Sequence, residues 1–197
     1  MDKANKLYIA IFASGAGSNA ANLIQYFKNH DKIAIALIVC NKPEAGVLSI
    51  AADNHVPTLL IEKERFFRGD AYLPVLEQYH IDYIVLAGFL WKVPVALIQA
   101  YPQKIVNIHP ALLPKYGGKG MYGAHVHTAV VANREKETGI TIHMVDEIYD
   151  NGKILFQATY SLSENDTPDD VARHVHQLEY AHFPEQVEKL VVGMSRE

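Results

Sequence analysis

Through the first 110 residues, short apolar runs alternate with segments of helical period. Residues 7–12, 33–40, 58–61, 83–86 and 105–108 are near-continuous runs of strand length, rich in Ile, Val and Leu. Between them, residues 20–28, a stretch ending at Asn54, and residues 70–79 repeat apolar positions at helical spacing, and Pro94 suits the first turn of a short helix ending near Tyr101. Strands buried on both faces and separated by helices predict βαβ units and a parallel sheet. The pattern changes after Pro110. A Gly-rich, basic loop at 112–120 precedes a helix expected over 125–133, then strands at 139–145 and 153–160. Their connection, 146–152, is too short for a helical crossover, so this pair is predicted to be antiparallel, with Asn151-Gly152 as its turn signal. Thr167-Pro168-Asp169-Asp170 opens the last helix, with Thr as N-cap, Pro in the first turn and acids against the dipole. Val171, Val175 and Leu178 mark its inner face, and Pro184 is expected to kink or restart it before 187–192. The fold class is therefore α/β, Rossmann-like: a mostly parallel twisted sheet, helices on both faces, and an antiparallel C-terminal strand pair. With no repeat or linker, residues 1–197 read as one domain.

Composition narrows the function classes. Net charge is -4, from 18 Lys+Arg and 22 Asp+Glu, which gives no bulk attraction to nucleic acid. No apolar run is of membrane-spanning length, and residues 1–6 are polar with no apolar leader behind them. The single cysteine, Cys40, sits in an apolar run and reads as a buried thiol, so a reducing cytoplasmic location is the default. Small-molecule substrates are expected, with no nucleic acid or membrane as partner, on a monomer or weak homodimer.

Two segments carry candidate chemistry. Gly15 and Gly17, with Ser18 and Asn19, lie between the first strand and first helix, where free backbone N–H groups and the helix dipole bind anions. Gly15-x-Gly17-x-x-Ala20 fits a loose dinucleotide fingerprint, but the second strand ends in Cys40-Asn41-Lys42, without the acid that holds a ribose hydroxyl. A phosphate monoester is the better match. The second segment is Asn107-Ile108-His109-Pro110. Alternation puts Asn107 and His109 on one face, and Pro110 should end the strand. An amide that can hold an oxyanion and an imidazole that can move a proton then stand together at the carboxyl end of a parallel strand, where α/β ligands bind. His143 is either hydrogen-bonded inside the sheet or part of the cleft. His125/His127 and His174/His176 have poor ligand spacing and no supporting carboxylate or cysteine, so no metal is expected. Spacing alone makes Asp150 a turn residue.

Four blocks in order resemble the folate-dependent glycinamide ribonucleotide formyltransferases: Ser14-Gly15-x-Gly17-Ser18-Asn19, Leu86-Ala87-Gly88-Phe89, Asn107-Ile108-His109-Pro110-Ala111-Leu112-Leu113-Pro114 and His143-x-Val145-Asp146-Glu147-x-x-Asp150-x-Gly152. The resemblance runs from about Leu7 to Pro184. It implies formyl transfer from 10-formyltetrahydrofolate, as co-substrate and without a metal, to the amine of a phosphoribosylglycinamide in purine synthesis. It makes Asn107, His109 and Asp150 the catalytic trio, with Asp150 raising the pKa of His109 and keeping it a charged imidazolium. It assigns Gly15, Gly17, Ser18, Asn19, Pro110 and Glu179 to the phosphoribosyl substrate. Folate contacts fall on Arg68, Leu90, Trp91, Lys92, Val93, Asn107, Val145, Asp146 and Glu147. Trp91 stands where the family commonly has Arg, Arg68 is a loose match, and the 116–124 loop is longer than usual. Related formyl transfers, on tRNA or to water, are not expected, since those enzymes usually carry an added C-terminal or N-terminal domain. A nicotinamide-linked oxidoreductase would explain only the first Gly loop. A non-catalytic nucleotide-binding module is the remaining alternative.

Overall fold

The computed structural model describes residues 6–194; most of the polar N-terminal stretch 1–6 lies outside them. The chain runs β1 (Leu7–Ala13), α1 (Ser18–Phe27), β2 (Ile33–Cys40), α2 (Gly46–Asp53), β3 (Thr58–Leu60), α3 (Lys63–Phe67), α4 (Leu73–Gln78), β4 (Ile81–Leu86), α5 (Val95–Ala100), β5 (Ile105–His109), α6 (Ala124–Ala132), β6 (Glu137–Met144), β7 (Ile154–Ser161) and α7 (Pro168–Met194). One seven-stranded sheet has the order β3-β2-β1-β4-β5-β6-β7. Its first five strands pair in parallel, and β6 and β7 add antiparallel, as the alternation predicts. The order reverses between β1 and β4, so the crossovers diverge there and open a crevice at the carboxyl ends of the strands.

The sheet is apolar on both faces. Ile9 and Ile11 of β1 pack with α1, α2, α6 and α7 on one side, and Ala10 and Phe12 face α3, α4 and α5 on the other. The same alternation runs along β5. Val106 and Ile108 enter the first core and Ile105 the second. Asn107 and His109 share the phase of Ile105. They continue its face beyond the covering helices.

Two local expectations change. The helix expected over 70–79 starts at Leu73, because Pro74 fits only the first turn of a helix. The restart at Pro184 does not occur: α7 is continuous from Pro168 to Met194. Proline cannot supply the N–H that the Tyr180 carbonyl would accept, but Asn22 Nδ2 of α1 donates to that carbonyl at 3.1 Å. A side chain from the neighbouring helix thus replaces the missing backbone donor. Further along the same seam, Tyr26 Oη donates to Glu188 at 2.5 Å, and His30 Nε2 lies 3.2 Å from the other oxygen of that carboxylate. At the start of α7, Thr167 Oγ1 accepts from the Asp170 N–H at 3.2 Å while Asp170 accepts from the Thr167 N–H at 3.0 Å, a reciprocal cap.

The candidate active site

A cleft of about 870 Å³ opens along the crevice, lined at one end by residues 14–19 and at the other by Asn107, His109, Pro110 and Asp150. The first end is the turn from β1 into α1. Gly17 caps the helix with φ 84, and no side chain occupies the cap. A Cβ on Gly17 would lie 2.7 Å from Val47, so this glycine is required by backbone conformation and by packing on α2. Gly15 is open, with nothing within 4 Å of such an atom. Asn19 donates through Nδ2 to Glu179 Oε2 at 2.9 Å, and its Oδ1 is buried without a partner.

Glu179 arrives from α7. Val171, Val175, Phe183, Val187 and Val191 are fully buried at intervals of four or eight, and Glu179 is the polar member of the same stripe. Its Oε2 also accepts from His176 Nδ1 at 2.8 Å, which raises the imidazole pKa above its ordinary value of 6.5. His176 and the buried His127 line the same cleft.

At the other end, sheet register builds a polar group on an otherwise apolar face. Asn107 pairs across the ladder with His143, and His109 with Thr141. His143 is 2% exposed, and its Nδ1 lies 2.9 Å from the Met144 carbonyl, so Nδ1 carries the proton. Nε2 is then the acceptor for Asn107 Nδ2 at 3.1 Å. Thr141 donates to the Ala111 carbonyl at 2.7 Å and accepts from the Leu113 N–H and from Gln157 Nε2, which pins the turn after Pro110.

Asp150, at φ 52, is a left-handed non-glycine residue at the end of the 146–150 turn. Its carboxylate lies 3.7 Å from His109 Nδ1 and 3.6 Å from His143 Nε2, and accepts from the Gly118 N–H at 2.8 Å. Burial pushes this carboxyl up, but the two imidazoles and the Gly118 donor outweigh it and hold its pKa below 3.8. His109 Nε2–H donates to the Tyr116 carbonyl at 2.7 Å. The expectation that Asp150 keeps His109 charged is corrected here. His109 is 3% exposed, and burial lowers its pKa below 6.5 despite the pull of Asp150 and Tyr116. Its resting state at neutral pH is the neutral ring, with Nδ1 free to take a proton beside a fixed carboxylate.

The expected folate contacts divide. Leu90 lines the cleft, and its N–H donates to Ser14 Oγ at 3.0 Å, tying the 88–90 turn to the end of β1. Lys92 lies over the Tyr149 ring at 5.9 Å, and Tyr149 lines the cleft. Trp91 packs on Phe66, Phe67 and Phe89, outside the cleft lining. Val93 is buried in the second core, and Val145 packs against it. Asp146 organises its own turn, accepting from the Ile148 N–H and Asn151 Nδ2, and Glu147 and Arg68 are exposed away from the lining residues. Of the two places open to His143, the structure gives it the hydrogen-bonded one inside the sheet; the spacing-based reading missed Thr141, Gln157 and the Gly118 donor. Among the described residues no group of three or more His, Cys, Asp or Glu is arranged to hold a metal, and no helix is long and apolar enough to cross a membrane.

Comparison with known proteins places this architecture. Residues 7–187 match the formyl transferase family model. The chain is 40% identical over 185 residues to the chloroplastic phosphoribosylglycinamide formyltransferase of Arabidopsis thaliana, covering 91% of this chain and 63% of that protein. It is 34% identical to the phosphoribosylglycinamide formyltransferase of Bacillus subtilis, covering 92% and 93% of the two chains. The crystal structure of phosphoribosylglycinamide formyltransferase from Bacillus halodurans superposes with a TM-score of 0.84 at 34% identity, covering 93% and 95%. This chain spans about three fifths of the plant relatives' length, 63% in Arabidopsis thaliana and 60% in Vigna unguiculata. With the family match over residues 7–187 and the likeness to the Bacillus relatives in sequence and in fold, the chain belongs to the formyl transferase family.

Proposed function

We propose that the protein transfers the formyl group of 10-formyltetrahydrofolate to the amine of 5'-phosphoribosylglycinamide, giving formylglycinamide ribonucleotide and tetrahydrofolate in purine synthesis. The observation that carries this reading is one cleft with an uncapped helix N-terminus at one end and Asn107, His109 and Asp150 at the other. An anionic tail on the first would place an amine at the second. We take residues 1–197 as one formyltransferase domain acting on small molecules in the cytoplasm, where the buried Cys40 thiol would stay reduced.

In this reading, the free N–H groups of α1 and Ser18 hold the phosphate. Asn19 Oδ1 accepts from the sugar or amide of the substrate, and Glu179 Oε1, the oxygen not engaged by Asn19 and His176, takes a ribose hydroxyl. Leu90 and the 146–150 turn hold the pterin. The amine nitrogen bonds to the formyl carbon, and the carbonyl electron pair moves onto oxygen. Asn107 donates its second Nδ2 hydrogen to that oxyanion, with the first held by His143. His109 Nδ1 takes the proton from the attacking nitrogen, directly or through water. Asp150, 3.7 Å away, stabilises the resulting imidazolium. The oxyanion pair then re-forms the carbonyl, and the C–N bond to the folate breaks with its electrons on the leaving nitrogen, to which His109 returns the proton. Juxtaposition of the two substrates supplies much of the acceleration.

A spectrophotometric assay with a 10-formylfolate analogue tests the proposal. Folate product that forms only when phosphoribosylglycinamide is present supports it. Equal consumption without the ribonucleotide assigns a deformylase, and none at all a binding module.

A further inference from the structure

The charged groups of the cleft are unequally engaged. Its two carboxylates have hydrogen-bond partners: Asp150 the Gly118 N–H, and Glu179 Asn19 and His176. Its two lysines, Lys42 just beyond β2 and Lys119 on the loop before α6, have no ion-pair partner among the described residues. Both line the cavity that the residues 14–19 turn enters, where Asn19 is 9% exposed and its Oδ1 unpartnered. Two lysines without an ion-pair partner suit a phosphate monoester, which carries about -1.5 to -2 at neutral pH.

Lys119 is mounted in an unusual way. It sits between Gly118 at φ 92 and Gly120 at φ 89, and a Cβ on either glycine would meet nothing within 4 Å. Packing does not demand these glycines; the left-handed backbone that carries Lys119 does. The base of the loop is fixed by the chemistry end of the cleft. Tyr116 accepts from His109, and Gly118, the residue before Lys119, donates to Asp150.

We propose that Lys119 is a specificity-determining residue, which reaches from the 117–123 loop to the substrate phosphate held at α1 and so makes the site selective for a phosphorylated amine. This rests on the proposed formyl transfer for its substrate, but the phosphate contact can be read without turnover. The test compares the wild type with Lys119→Met and Lys119→Arg. Two quantities are measured: the ratio of kcat/KM for phosphoribosylglycinamide to that for its dephosphorylated riboside, and the thermal shift given by ribose 5-phosphate.

The expected result is a fall of about ten-fold in the ratio for Lys119→Met, carried by KM, with recovery in Lys119→Arg. The ribose 5-phosphate shift should shrink in the Met variant, and the wild-type KM should climb more steeply with salt. An unchanged ratio with an unchanged ribose 5-phosphate shift overturns the assignment. If the wild type formylates neither substrate, the reaction assigned above fails, and the ribose 5-phosphate shift alone decides the role of Lys119.

Discussion

Asn107 Nδ2 lies 3.1 Å from His143 Nε2, directly across the β5–β6 ladder. The imidazole is locked in one tautomer by the Met144 carbonyl, so it can only accept. His143 therefore sets which way the Asn107 amide faces. Asn107→Ala should lower kcat by about 10²–10³, the usual effect of losing one oxyanion donor. His143→Ala should lower kcat by a smaller factor, about ten-fold, with KM for both substrates little changed, since the amide stays but loses its peg. In the double variant the two losses should not add. Additive losses in steady-state kinetics would mean that His143 acts independently of Asn107.

The balance at His109 sets the acid limb of the rate profile. Burial holds its pKa below 6.5, so kcat/KM should rise with pH through a midpoint below 6.5 and level off near neutrality. Asp150 pulls that pKa upward. Asp150→Asn should therefore move the limb to lower pH and also cut the plateau rate by about 10², because the imidazolium formed in turnover loses its counter-charge. A limb that moved to higher pH would refute the assignment of His109 as the neutral base.

The same protonation has a stability consequence. His109 and His127 both have folded-state pKa values below 6.5. As pH falls through 6.5, the unfolded chain takes up these protons first, so the folded state should lose stability from there down. His176, raised by Glu179, works oppositely, with its contribution present below 6.5 and lost as pH rises through its folded value. His127→Gln should flatten the fall in Tm between neutral pH and pH 5, as followed by thermal melts.

Asn22 and Pro184 form a testable pair although they do not bond to each other. Asn22→Ala leaves the Tyr180 carbonyl without a donor and should cost about 1 kcal/mol in chemical denaturation. Pro184→Ala restores a backbone N–H for that carbonyl. In a Pro184→Ala background, Asn22→Ala should be nearly silent. An equal cost in both backgrounds would show that Asn22 is not standing in for the missing donor.

The two glycines of the β1–α1 turn should respond differently. Gly17→Ala forces a Cβ against Val47 from a positive φ and should lower stability by about 1–3 kcal/mol. Gly15→Ala meets nothing and should leave Tm within a degree or two. Equal melting curves for the two variants would contradict the packing reason given for Gly17.

Much of this site was legible before the structure. Same-face spacing and a terminating proline put Asn107 and His109 together at a strand tip, and the Gly-rich turn proved to line the same cleft. Glu179 carried a signal as well, as the carboxylate in a stripe of apolar residues four apart, but it was found through family resemblance. His143, Thr141 and Gln157 were not legible as partners, because strand register decides who faces whom and no local pattern encodes it. The charge state of His109 went the wrong way for a related reason. Sequence indicates a neighbouring acid, whereas depth of burial, which outweighs it, belongs to the whole fold. Val93 and Val145 turn their side chains into the second core, which leaves their backbone groups for the folate contact that the resemblance implies.

The seam between α1 and α7 has a consequence in time. Asn19 with Glu179, Asn22 with Tyr180, and Tyr26 and His30 with Glu188 each join residues about 160 positions apart. The turn from β1 into α1 emerges 160 residues before the carboxylate that orients Asn19. A nascent chain stopped short of α7 would carry the turn without the means to position its ligand. The substrate would then favour only chains that have docked α7, and its binding free energy would act as a check on that docking.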